Sequence, residues 1–211
     1  IGSVSGRYFA MDRDKRWDRT DKAYRALVRG QGRTSTDPLQ AVQEAYDLGE
    51  SDEFVQPVVM VDEDHNPVGL MQDRDAAFFF NFRADRARQM VRALTEKDFS
   101  HFAVFDPPQL SQVASMTEYD PQFSIPVAFA PQTLPNILGQ ICAEQGMQQL
   151  RLAETEKYAH VTYFFNGGRE EPFPGEERML IPSPQDVPTY DLKPEMSVYE
   201  VTRILEQEWS K

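Results

Sequence analysis

The most constraining feature of the chain is the run Ala-Ala-Phe-Phe-Phe-Asn-Phe at residues 76–82, followed at once by arginines on a helical spacing. A continuous apolar run this short predicts a strand buried on both faces. Residues 84–94 then carry helical periodicity, so the segment reads as a strand turning into a helix. In α/β folds ligands bind at such transitions, where the strand ends and donors are presented. Arg83 and Arg86 stand at that junction. An arginine leaving an apolar strand needs a carboxylate or an anion as partner, and ordinary salt-bridging satisfies that as well as a ligand does.

The remaining punctuation extends the same pattern. Residues 4–11 read as strand and loop, and 14–27 as an amphipathic helix carrying Trp17, Tyr24 and Leu27 and stopped by Gly30. A second helix is predicted between Asp37-Pro38 and Gly49, with proline in its first turn. Around residues 58–72 two β-rich runs flank Asp62-Glu63-Asp64-His65-Asn66-Pro67, which suits a hairpin. Residues 100–131 are rich in proline and aromatics, with one strand predicted at 112–119 and a connector at 128–132. A helix over 133–146, capped by Thr133 and stopped by Gly146, precedes a strand at 149–153. A helix over 159–165, ending at Asn166-Gly167-Gly168, and a strand at 178–181 follow. This alternation predicts a second α/β unit after the connector. There is no internal repeat.

Composition narrows the function. Apolar residues make up 40% of the 211, enough for a core, while the formal charge of −12 opposes broad attraction to nucleic acid or an anionic membrane. Any anionic ligand must therefore be held by a local basic cluster. The single cysteine, Cys142, excludes an intrachain disulfide, no Cys/His spacing suggests zinc, and a reducing cytosol fits. No apolar run approaches the ~18 residues needed to span a bilayer. The chain opens on Ile1 as though a strand were entered midway, so further sequence is expected upstream.

Three charged motifs can carry chemistry. Ser-Gly-Arg-Tyr-Phe-Ala-Met-Asp-Arg-Asp-Lys-Arg-Trp at 5–17 holds Arg7 and Arg13. It is either a solvated helix start or a pair of guanidinium forks converging on one small dianion. Asn-Phe-Arg-Ala-Asp-Arg-Ala-Arg-Gln-Met at 81–90 repeats the theme with Arg83 and Arg86. In the third, Lys157 follows Glu154 and Glu156, either as a surface pair or as positive charge for a transferring phosphoryl group.

Taken in order, these motifs closely resemble the cofactor-independent phosphoglycerate mutase family, and the resemblance runs through essentially the whole chain. It implies an α/β chain, with part of an inserted phosphotransferase domain followed by part of an alkaline-phosphatase-like α/β domain. Residues 1–132 would be the C-terminal part of the first and 133–211 part of the second. Family members interconvert 3-phosphoglycerate and 2-phosphoglycerate through a phosphoserine, with two divalent metal ions, manganese or magnesium. By the same resemblance Arg7 and Arg13 hold the glycerate portion, Arg83 and Arg86 the phosphate, and Lys157 is catalytic, beside the phosphoryl group in flight. The family's serine motif and its Asp and His metal ligands have no counterpart here. Asp64-His65-Asn66 lacks the glycine of the metal motif and is rejected as a ligand pair; His101 and His160 are read as structural. The expectation is a cytoplasmic, monomeric protein that avoids nucleic acid and membrane. The segment alone would bind phosphoglycerate without turning it over, with a hinge near residues 128–133. Two rivals stand beside this reading: a non-catalytic phosphoglycerate-binding module, and a metal-dependent phosphatase or sulfatase, which would not be expected to share the arginine motifs.

Overall fold

Residues 1–104, 106–132 and 134–209 are described by a computed structural model, and close packing divides the chain into two units, Ile1–Ala130 and Pro131–Lys211. Thr133, expected to cap a helix, lies outside the described residues. Among the described residues no helix is long and apolar enough to cross a membrane.

The first unit opens with β1 (Ser3–Val4), α1 (Arg7–Ala10), α2 (Trp17–Arg29), β2 (Arg33–Ser35), α3 (Pro38–Asp47) and β3 (Val58–Met60). The sheet order is β1-β3-β2, with β1 antiparallel and β2 parallel to β3. Val58, Val59 and Met60 are all buried, Val59 clustering with Ala26 of α2 on one face and Val58 and Met60 with Ala41 of α3 on the other. Gly30 ends α2 in the left-handed conformation, φ 65°, where a side chain would be strained. Asp37 caps α3 by accepting the Leu39 N–H at 2.8 Å, ahead of Pro38. Two expectations change here. Residues 4–11 hold the end of β1 and a loop, as expected, but then the helix α1, and the hairpin at 58–72 shrinks to a single antiparallel bridge, Val61 to Pro67. The cause is local: the Asp62 carboxylate gathers the N–H groups of Asp64 and Asn66, closing a turn with little ladder beyond it.

The second sheet of this unit is wholly parallel, in the order β4-β5-β6, from β4 (Ala76–Phe79), β5 (Gln112–Thr117) and β6 (Val127–Phe129). Between β4 and β5 runs α4 (Arg88–Thr95), preceded by a turn in which the Ala87 N–H donates to Ala84. Phe79 packs against the buried Val91 and Tyr119, so one sheet face joins the core. The expectation of a strand buried on both faces fails. Phe78 is half-exposed, and Phe80 and Phe82, beyond the strand's end, are 76% and 74% exposed. Burial on both faces needs a layer over each, and α4 covers one. Residues 128 and 129, expected in a connector, belong to β6.

The second unit holds α5 (Leu138–Glu144), β7 (Gln149–Glu154), α6 (Thr155–Ala159), a π-helical stretch His160–Phe164, β8 (Glu176–Ile181) and α7 (Val198–Trp209). β7 and β8 pair in parallel over six residues each. Helix α5 begins three residues after Pro135, later than its sequence pattern predicts, whereas α6 begins at Thr155, four residues before the predicted start. Buried Glu176 anchors this unit: its carboxylate accepts from Asn166 Nδ2 at 2.8 Å, Arg178 Nε at 2.6 Å and the Phe173 N–H at 3.2 Å. Desolvation pushes its pKa up, but these donors outweigh it and hold the group below the ordinary carboxylate value.

Candidate anion-binding site

The loop between α1 and α2 wraps around one carboxylate. Asp12, 5% exposed, accepts the N–H groups of Asp14 at 3.1 Å and Arg16 at 2.9 Å on Oδ2, while Arg19 Nη1 approaches Oδ1 at 3.4 Å. This Asx-type arrangement satisfies backbone donors ahead of α2 that have no intrahelical acceptor. The loop's other end is fixed from a distant stretch, since Arg86 Nη1 donates to the Met11 carbonyl at 3.0 Å.

Arg13, projecting from this loop, meets the second arginine motif directly. Its Nη1 lies 2.8 Å from Asp85 Oδ2, and Arg83 Nη2 reaches the same oxygen at 3.3 Å. Asp85 is 9% exposed, and its Oδ1 accepts no hydrogen bond within the described residues. Burial alone pushes the Asp85 carboxyl up; the Arg13 hydrogen bond and the charges of Arg83, Arg13 and Arg86 outweigh it and hold the group below its usual range. Three guanidiniums from stretches 70 or more residues apart in sequence thus surround one carboxylate. Each guanidinium offers about five N–H donors in a fixed fork, against about four lone-pair sites on the carboxylate. Such a cluster can accept a phosphate or carboxylate bidentately.

Arg7 is linked to the cluster through backbone. Its carbonyl accepts the Met11 N–H at 2.9 Å, and its guanidinium pairs with Glu53 at 2.8 Å, where both side chains are well exposed. Lys157 belongs to the second unit: it is exposed on α6, directly after the C-terminal end of the parallel strand β7. Among the described residues it makes no ion pair with Glu154 or Glu156; Glu154 instead accepts from the Ser183 hydroxyl at 3.0 Å. His101 stacks on Trp17, with ring centroids 4.1 Å apart, and His160 leans on Phe164 at 5.6 Å. Asp64-His65-Asn66 occupies the turn ordered by Asp62. No group of three or more metal-ligating side chains occurs among the described residues. The sequence reading missed Asp85, although it lies between Arg83 and Arg86, a place from which a carboxylate can reach either fork.

A family model described as the BPG-independent PGAM N-terminus matches residues 1–121. A 2,3-bisphosphoglycerate-independent phosphoglycerate mutase from Nitratidesulfovibrio vulgaris is 58% identical over 210 residues, covering 100% of this chain and 41% of the relative. One from Desulforudis audaxviator is 55% identical over 202 residues, covering 96% and 39%. Among solved structures, the Leishmania mexicana phosphoglycerate mutase determined at low cobalt concentration superposes with a TM-score of 0.86 at 31% identity, covering 97% of this chain and 38% of that one. The chain therefore spans about two fifths of the length of the curated relatives it matches.

Proposed function

Because the chain belongs to the BPG-independent phosphoglycerate mutase family, we propose that it carries the substrate-gripping part of an enzyme that interconverts 3-phosphoglycerate and 2-phosphoglycerate. The observation that carries this reading is the convergence of Arg13, Arg83 and Arg86 on Asp85 from two distant stretches. Arg83 and Arg86 take the phosphate, while Arg13 and Arg7 take the glycerate portion and its carboxylate. Asp85 holds the forks apart at a fixed angle, so that binding costs little reorganisation. Lys157, exposed on α6, supplies positive charge to the phosphoryl group as it transfers. Residues 1–132 then correspond to the C-terminal part of the phosphotransferase domain and 133–211 to part of an alkaline-phosphatase-like domain. A cytosolic monomer acting on a small acid phosphate agrees with the acidic surface charge, which leaves anion binding to this local cluster.

A pair of divalent metals, manganese or magnesium, would neutralise phosphoryl oxygens and activate a serine, but the described side chains offer no cluster to hold them. What these residues do is bind and orient a dianion. The test is kinetic: in the complete protein Arg86→Ala removes a charge-assisted contact and lowers kcat/KM for 3-phosphoglycerate by about 10- to 150-fold, that is ~1.5 to 3 kcal/mol. Unchanged constants would dismiss the assignment. The 211-residue chain by itself is expected to bind 3-phosphoglycerate calorimetrically without turning it over; metal-dependent turnover by this chain would show the catalytic parts to be misplaced.

A further inference from the structure

Residues 83, 86 and 89 recur in steps of three across the turn that leads into α4, and the third is not an arginine. Gln89 is 6% exposed and uses every hydrogen-bonding group of its amide. Its Oε1 accepts the Lys15 N–H at 2.8 Å, and its Nε2 donates to Asp12 Oδ2 at 3.0 Å and to Thr20 Oγ1 at 2.9 Å. Two of these three partners flank Arg13. Lys15 is also one of the few non-glycine residues with positive φ, 58°, a conformation that the chain does not hold without support. The loop is therefore pinned on both sides of Arg13: by Arg86 at Met11 and by Gln89 at Asp12 and Lys15. Arg86 and Gln89 leave the same short stretch, so the segment that carries the phosphate arginines also fixes the arm bearing the glycerate arginine.

We propose that Gln89 is a positioning residue for phosphoglycerate, acting through the loop that aims Arg13; the inference rests on Arg13 binding the substrate. Removing the amide frees Lys15 from its left-handed conformation and leaves Asp12 with one donor fewer, so the loop, and Arg13 with it, samples other directions. A small displacement of a charged fork costs most of its bidentate contact. Binding made equally in ground and transition states is lost as KM, with kcat retained.

The experiment is a double-mutant cycle in the complete protein, using Gln89→Leu and Arg13→Ala with steady-state kinetics on 3-phosphoglycerate. Gln89→Leu is expected to raise KM about tenfold with kcat within about twofold, and to change KM less than about twofold once Arg13 is alanine. A merely structural role would lower the melting temperature equally in both backgrounds and leave KM alone. The proposal is overturned if KM of Gln89→Leu stays within twofold of the parent, or rises as much without Arg13 as with it. If Arg13→Ala itself leaves KM unchanged, the substrate-binding reading fails, whatever Gln89 does; if it raises KM while Gln89→Leu does not, only the positioning role fails. Should Gln89→Leu not fold, as read by circular dichroism, Gln89→Met, unbranched like glutamine, carries the same cycle.

Discussion

Asp85 keeps its charge in a buried place because guanidinium groups outweigh the cost of its desolvation. The consequence for stability has a definite sign. A carboxylate whose folded pKa lies below its unfolded value, ordinarily near 3.8 for aspartate, contributes stability that is fully present above that value and is lost as pH falls through the folded one. Asp85→Asn is therefore expected to lose about 2 kcal/mol at pH 7, measured by urea unfolding. The gap between variant and parent should narrow below the ordinary aspartate range, and a gap independent of pH would refute the account. Glu176 follows the same rule in the second unit, where Glu176→Gln strands Arg178 and is expected to cost about 3 kcal/mol. Single residues of this kind were half legible in the sequence. Arg13, Arg83 and Arg86 stood out by type and spacing, but Asp85 and Gln89 did not, because a carboxylate or an amide acquires meaning only from the groups it meets.

Among the elements, those with strong local chemistry lie where the spacing put them: α2 up to Gly30, α3 behind Asp37, β5 and β7. Those set by longer-range packing do not. The helix α1, four residues long, exists because Gly6 lets the chain turn against the stretch before β3: its N–H donates to the Val55 carbonyl at 2.7 Å, and its own carbonyl accepts from Phe9 and Ala10. A methyl group at this position would sit 2.7 Å from the Val55 nitrogen. Gly6→Ala should therefore displace α1 from residues 53–55 and cost about 1 to 3 kcal/mol through overpacking, seen as an earlier midpoint in denaturant. An unchanged midpoint would mean that this close approach relaxes freely.

For the molecule as a whole, the aromatic run at 76–82 is the instructive case. Its composition points to burial, yet Phe80 and Phe82 face solvent within a unit that covers one side of its parallel sheet. The 211-residue chain is thus expected to bind an apolar dye such as anilinonaphthalene sulfonate, and Phe80→Ser with Phe82→Ser to reduce that fluorescence several-fold; no change would place the dye elsewhere. What the sequence determined by itself is local or statistical: the acidic balance, the helix stops, the strand-to-helix alternation, and three ordered motifs that mark the family. What only the tertiary structure decided is which charges meet. Arg13 and Asp85 are separated by 72 positions, and Gln89 pins a loop 74 residues before it. Periodicity reports the face on which a side chain lies within its own element, whereas the partner across a packed interface is set by how the chain closes on itself.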